Sequence, residues 1–197
     1  MSNPSSRFDE VIAAIDAANA RDPNRVDAGG QPLPAGLVYG QRMSETLDRM
    51  APAASEHLRI AARGQHIERW TSPRKRYPAG RTGYLSWRKD LRDYHARRIG
   101  EIMAEHGYQT DDVAHVAGLV RKERMRSDPE AQMLEDVVCV VFLEHYIGDF
   151  IEQIDQAKLG TILTKTWNKM SDVGHAHALR LKLPPIVPIL LARGARQ

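Results

Sequence analysis

The sequence predicts an all-α fold, a helical bundle in a single domain spanning residues 1–197. Three observations carry that expectation. Apolar residues recur at spacings of three and four along most of the chain, the period of a helix face. The periodic runs open after Ser, Thr or Asp and stop at Gly or Pro, the usual punctuation of helices. The one run that could pass for a strand, "VVCVVF" at 137–142, lies inside a longer helical pattern and has no partner strands.

The elements follow in order. "SSRFDEVIAAIDAANA" (5–20) opens with serine caps and places Phe8, Ile12 and Ile15 at helical spacing. Residues 22–36 are rich in Pro, Gly and Asp and read as a loop. "LVYGQRMSETLDRM" (37–50) and "AASEHLRIAARGQHIERW" (53–70) are the next two helices, broken at Ala51-Pro52. Trp70 to Gly83 contains Pro73, Pro78, Gly80 and Gly83 and reads as a second long loop, unusually basic for a connector. Loops of about 12 residues or more inside a compact domain are often functional. "YLSWRKDLRDYHARRIGEIMAEHG" is a long helix stopped by Gly107. "TDDVAHVAGLVRKERM" has a Thr110 cap and an acidic first turn. "DPEAQMLEDVVCVVFLEHYIGDFIEQ" is one helix with Asp128 as cap and Pro129 at its first position. "DQAKLGTILTKTWNKMSDVGHAHALRL" is helical with a break near Ser171, and "PPIVPILLARG" is a short tail helix or an extended apolar strap.

Composition narrows the function classes. No run reaches the roughly 18 apolar residues of a membrane span. The opening "MSNPSSRFDE" lacks the apolar centre of a signal peptide, so the expectation is a soluble cytoplasmic protein without a membrane partner. The single cysteine, Cys139, cannot form an internal disulfide or a multi-cysteine zinc site and reads as a small buried hydrophobe. Net charge is only +3, but it is uneven. From Arg69 to Arg98 ten Lys and Arg face only Asp90 and Asp93, a net +8, and "RKERMR" (121–126) adds a second basic run. Such asymmetry suits an anionic partner: a nucleotide, another phosphorylated molecule, or RNA. A solvated helical face is the alternative reading.

One helix poses a question. "MLEDVVCVVFLEHY" is nearly all apolar, so it is a central helix. Asp136 shares a face with Val140 and Leu143 and is expected to point inward. A buried carboxylate needs a cation, a metal or a proton. Two histidines also sit on apolar stripes. His66 follows Leu58 and Ala62 at spacing four, and His95 lies between Leu91 and Ile99. Each alone reads as a hydrogen-bonded core histidine. The three together suggest a convergent site.

The order "YGQRMSETL", "LRIAARGQHIERW", "YHARRIGEIMAEHGYQTDDVAHVAGLV", "DPEAQMLEDVVCVVFLE" resembles the helical core of HD-domain, metal-dependent phosphohydrolases over about 37–146. Helices at 153–197 and an N-terminal helix and loop at 1–36 would flank that core. The resemblance implies metal ligands at His66, His95 and Asp136. It departs from the family at Ile67, where the pair requires Asp, and near Arg42, where the first histidine is expected. The remaining set could still hold Mn, Zn or Fe, completed by Glu45, Glu68 or Glu135. Arg42 could instead replace the metal and pair with Asp136. A similarity over more of the chain is to the DUF4202 family, a domain of unknown function, through "YGQRMSETL", "AARGQHIERW", "PRKRYP", "GYLSWRKDLRDYHA" and "LEDVVCVVFLEHY". "NKMSDV" is similar to part of the class I synthetase KMSKS loop, but the nucleotide-binding domain and partner motif that loop needs are missing, so it reads as chance.

The expected chemistry follows. A metal would lower the pKa of a bound water and supply a hydroxide. Arg42, Arg74, Arg76, Arg81 and Lys122 would hold the phosphate, with arginine's bidentate geometry suited to it. Glu68 and Tyr94 are candidate proton donors, and Trp70, Tyr77, Tyr84 or Trp87 could stack on a base. The leading expectation is an HD-like hydrolase of a phosphorylated small molecule or nucleotide that could use a divalent metal. The alternatives are a non-catalytic nucleotide- or RNA-binding helical module with a degenerate metal site, and a purely structural helical protein.

Overall fold

The structure, a computed structural model, describes residues 6–125 and 127–194. Ser5 of the expected caps and Arg126 of the second basic run lie outside them. The all-α expectation holds: apart from one small hairpin, the regular elements among the described residues are helices. Two compact units divide the chain, 1–127 and 128–197. No helix among the described residues is long and apolar enough to cross a membrane.

In the first unit, α1 (Arg7–Asn19) starts at Ser6, whose side chain accepts from the Asp9 amide while Asp9 returns the bond, a reciprocal cap. Its buried face is Val11, Ile15 and Ala18 rather than the expected Phe8–Ile12–Ile15 stripe. Phe8 and Ile12 instead line a groove of about 350 Å³ together with Leu47, Asp48, Arg59 and Arg63. The Pro/Gly-rich segment that reads as a loop contains a hairpin. Strand β1 (Arg25–Asp27) pairs antiparallel with β2 (Pro32–Pro34), Val26 opposite Leu33. Gly29 and Gly30 adopt positive φ to make its turn, a geometry only a short local pairing signals and no apolar periodicity reveals.

Helix α2 (Ala35–Met50) ends before Pro52 as expected, and α3 (Glu56–Gly64) is capped by Ser55. The structure ends α3 at Gly64, so His66 sits on a turn and not on a helix. Two single 3-10 turns, Arg69–Thr71 and Arg74–Arg76, lead to α4 (Gly80–Glu105), which begins earlier than the sequence suggests. Gly83, inside α4, is a point of close approach: a Cβ there would lie 2.0 Å from the Pro78 carbonyl oxygen. Gly107, at φ +80°, follows α4 as predicted, and α5 (Thr110–Arg121) is capped by Gln109 and Asp112 rather than by Thr110. Helix α3 packs against α2 and α5, α4 lies along α5, and α1 touches α2, α3 and α4. Ile15, Met43, Leu47, Ile60, Ile67, Ile99, Met103 and Leu119 fill the core. Arg63 clamps α3 to α1 through two hydrogen bonds to Asp16, 2.7 and 2.5 Å.

In the second unit, Asp128 caps α6 (Pro129–His145), as the sequence predicts. The expected single helix breaks at Tyr146, and α7 (Ile147–Gln153) follows. Helices α8 (Gln156–Trp167), α9 (Asp172–Ala178) and α10 (Ile186–Gly194) complete the unit, with Ser171 capping α9 at the predicted break. Helix α6 packs on α9, and α8 on α10.

The question raised by Asp136 is answered inside this unit. Its carboxylate is fully buried. One oxygen accepts from the Ser171 amide at 2.8 Å and from the Gln132 amide group at 3.0 Å. The other accepts from the Ser171 hydroxyl at 2.5 Å. Asp136 therefore ties α6 to the first turn of α9. Gly174 leaves room for it, since a methyl group there would come within 2.7 Å of the carboxylate oxygen. "KMSD" thus has a structural reason unrelated to nucleotide binding.

Two substitutions test this anchor. Asp136→Ala leaves the Ser171 amide and hydroxyl without their acceptor, takes one of two acceptors from Gln132, and should lower stability by about 2–4 kcal/mol. Gly174→Ala should cost about 1–3 kcal/mol by crowding. Urea denaturation of the double variant should show the second loss shrinking once the carboxylate is gone, because both changes act on the same group. Independent, additive losses would contradict the anchor.

Candidate functional site

The site is built around the turn that follows α3. Gly64 lies so close to α4 that an added Cβ would meet Ile99 at 2.5 Å, which brings the turn against α4. Ile67 is fully buried and anchors it. Glu68 then adopts a left-handed backbone, φ +50° and ψ +30°, strained for a residue with a side chain. The strain is held by hydrogen bonds on every side of the residue. The Glu68 amide donates to the Asn19 side chain at 3.0 Å, and its carbonyl accepts from the Thr71 hydroxyl at 2.8 Å. Its carboxylate accepts from Tyr94 at 2.7 Å and from Arg98 at 3.2 Å.

This turn fixes His66 just before Glu68 and Arg69 just after it. The His66 ring is half-buried. It stacks on Tyr39 of α2, ring centres 4.4 Å apart and nearly parallel at 18°. It also lies 5.8 Å from the ring of His95 on α4. The Arg69 guanidinium reaches to 3.5 Å from His66 Nε2 and stacks over Trp87 at 4.8 Å. Trp87 is held in turn by a 2.9 Å hydrogen bond from its indole to the Ser72 carbonyl.

Burial and positive charge dominate the electrostatics. Burial pushes the His66 pKa well below the usual 6.5, and the charges of Arg69, Arg88 and Lys122 and the neighbouring His95 push it further the same way. His95 is 2% exposed, and among the described residues neither of its ring nitrogens makes a hydrogen bond of normal geometry. Burial lowers its pKa to about 4; the Ile67 backbone opposes that effect and Arg69 adds to it. Both imidazoles are therefore neutral at pH 7. Among the described residues, Arg69 and Arg88 pair with no carboxylate, and burial lowers the pKa of Arg69 as well. Lys122 closes α5 in a left-handed conformation, φ +63°, where its amide bonds to the Leu119 carbonyl at 3.0 Å. The result is a basket of two neutral imidazoles with cationic groups close enough to act on them.

The structure brings His66 and His95 together, as the sequence suggests, but does not complete the metal set. The oxygens of Asp136 are occupied by Ser171 and Gln132 within the second unit. A cation, Arg69, approaches the His66 nitrogen that would bind the ion. Among the described residues no group of three or more His, Cys, Asp or Glu is arranged to hold a metal. The residues present do not fit Mn, Zn or Fe. The suggested completing carboxylates are otherwise engaged or face solvent: Glu45 is exposed, Glu135 is 3.5 Å from Lys169, and Glu68 pairs with Arg98.

The expected phosphate-binding cations separate into groups. Arg74 spends its guanidinium on the carbonyls of Tyr77, Pro78 and Gly80, at 2.9, 2.8 and 3.3 Å, and so shapes the loop entering α4. Arg76 donates to the Thr71 carbonyl at 2.8 Å. Arg42 is half-buried on α2, and Arg81 is exposed in the first turn of α4. Lys122 alone among them acts on the His66 ring. Glu68 and Tyr94, expected as proton donors, are bonded to each other, which raises the Tyr94 pKa together with burial. Sequence reasoning did not single out Arg69, Arg88, Tyr39 or Asn19. For two of them a signal existed: Arg69 is one helical turn from His66, and Arg88 precedes His95 by seven residues, two turns along the same face.

The neutral histidines make stability depend on pH. In the unfolded chain each imidazole takes a proton near pH 6.5, whereas folded His95 resists until about 4. Below 6.5 the unfolded state binds more protons, so stability falls as pH drops from 6.5 to about 4. His95 alone should contribute about 3 kcal/mol to that fall. Urea midpoints measured across this range should decline less steeply for His95→Leu than for the unaltered protein. Equal slopes would show that His95 accepts a proton as readily folded as unfolded.

Neither a curated protein nor a solved structure matches the chain. A family model described as a domain of unknown function, DUF4202, matches residues 9–190, a span that includes the basket and the Asp136 anchor. By that match the chain belongs to the DUF4202 family.

Proposed function

We propose that this protein binds the phosphate of a phosphorylated small molecule or nucleotide in the basket formed by His66, His95, Arg69, Arg88 and Lys122. One observation carries the reading: half-buried His66 and buried His95, both neutral, lie close to positive charges, and among the described residues neither His95 nitrogen makes a hydrogen bond of normal geometry. A buried polar group without a partner is costly. A phosphate oxygen would accept the N–H of each ring. Its charge would offset the guanidinium of Arg69, whose planar fork suits two phosphate oxygens at once. The same charge would favour protonation of His66, reversing the effect that its cationic neighbours now have on it. The bond between Tyr94 and Glu68, together with Arg98, commits the two candidate proton donors to the turn and supports binding rather than hydrolysis.

The test is calorimetric titration with inorganic phosphate and adenosine monophosphate, with and without a chelator. Binding should persist in chelator. Arg69→Ala should weaken it roughly tenfold or more, as expected for the loss of a hydrogen bond to a charged group, about 1.5–3 kcal/mol. The His66 ring resonances should shift toward the protonated form when ligand is added. An absence of binding would end this reading, and binding that appears only with added Mn or Zn would return the site to metal chemistry.

A further inference from the structure

The basket is the inner end of a longer feature on α4. At 100° per residue, Arg81, Tyr84, Arg88 and His95 fall within an arc of about 60° on one face of that helix. They extend over about 21 Å of its length at 1.5 Å per residue. Exposure rises steadily outward along the stripe. His95 is 2% exposed, Arg88 is half-buried, Tyr84 is 44% exposed, and Arg81 is exposed in the first turn. Among the described residues Arg81 pairs with no carboxylate, so it is not needed for an ion pair within the fold. Tyr84 makes no hydrogen bond among the described residues and leans toward Trp87, ring centres 6.0 Å apart, at the edge of the Arg69 stack.

These features describe a track: open and cationic at one end, closed at the other by buried His95, with an aromatic ring between. A phosphate in the basket accounts for His66, His95, Arg69, Arg88 and Lys122, and leaves Arg81 and Tyr84 without a task. Cations spaced along a helix, with an exposed aromatic side chain among them, suit a chain of phosphates whose bases can stack. A track closed at its inner end admits an end of such a chain, not its middle. A terminal phosphate also carries more negative charge than an internal diester, which suits the unneutralised Arg69 and Arg88.

Resting on the phosphate-binding reading above, we infer that the ligand is a single-stranded oligonucleotide with a terminal phosphate: the phosphate sits in the basket and the following nucleotides lie along Arg88, Tyr84 and Arg81. Fluorescence anisotropy with a short labelled oligoadenylate tests it, using matched forms with a phosphate at the 5′ end, at the 3′ end, or at neither. One phosphorylated form should bind at least roughly tenfold more tightly than the hydroxyl-ended form, and Arg69→Ala should abolish that preference. Tyr84→Ala should weaken oligonucleotide binding roughly tenfold through lost stacking, more than it weakens adenosine monophosphate. Arg81→Ala should lower the salt dependence of oligonucleotide binding by about one contact. Both side chains are exposed, so these variants keep the fold. Adenosine monophosphate binding as tightly as the oligonucleotide, with Tyr84→Ala and Arg81→Ala changing neither, would overturn the track and leave the basket intact. Equal binding of phosphorylated and hydroxyl-ended oligonucleotides would overturn recognition of the chain end. If neither phosphate, mononucleotide nor oligonucleotide binds, the basket itself fails, and this inference with it.

Discussion

Much of the first unit's chemistry hangs from the left-handed turn at Glu68. A left-handed backbone costs about 1–2 kcal/mol for a residue with a side chain, so the turn persists only because its surroundings over-determine it. Asn19 from α1, Tyr94 and Arg98 from α4, and Thr71 from the following 3-10 turn all bond to this one residue. The consequence is positional. His66 and Arg69 leave the backbone on either side of a rigid corner, so the imidazole is delivered to Tyr39 and His95 while the guanidinium is laid over Trp87. Three helices that could otherwise adjust independently are made to agree on the placement of two side chains.

Two buried ionisable sites show opposite solutions to one problem. Asp136 lies in an apolar helix and is made comfortable by donors on all sides, so it has no capacity left for a ligand. His95 lies in an equally buried place, and among the described residues neither ring nitrogen makes a hydrogen bond of normal geometry; the Ile67 backbone lies close enough to act on its ring. The first is what a structural anchor requires: a satisfied group that fixes the path of α9. The second is what a fold alone would not retain, since a leucine at the same position would pack without the desolvation penalty. Burial does not separate the two groups; completeness of hydrogen bonding does.

The helices were legible in the sequence because their ends are written in side chains: Ser6, Ser55, Asp128 with Pro129, Ser171 and Gly107 each sit where a helix starts or stops. The hairpin at 25–34 was not legible, since three-residue strands carry no period and only the Gly29-Gly30 turn marks them. The end of α3 at Gly64 was missed for a related reason. The apolar spacing of Leu58, Ala62 and His66 continues through a turn that the tertiary contact with Ile99 enforces. At the site, the sequence identified both histidines from their apolar stripes and the positive charge from its density. It could not tell Arg74, which is consumed by backbone carbonyls, from Arg69 and Arg88, which are not, because that distinction depends on where three carbonyls of a loop happen to point. Asp136 looked like a ligand because a buried carboxylate announces a partner without saying which; the partner was a serine from a later helix.

The stacking of Arg69 on Trp87 gives the molecule an intrinsic optical gauge. The chain has three tryptophans, and this one lies with a guanidinium at 4.8 Å from its ring centre. Indole emission responds to a charge held against the ring, so any event that draws Arg69 away from Trp87 is written into the colour of the protein's own fluorescence, without a dye or a tag.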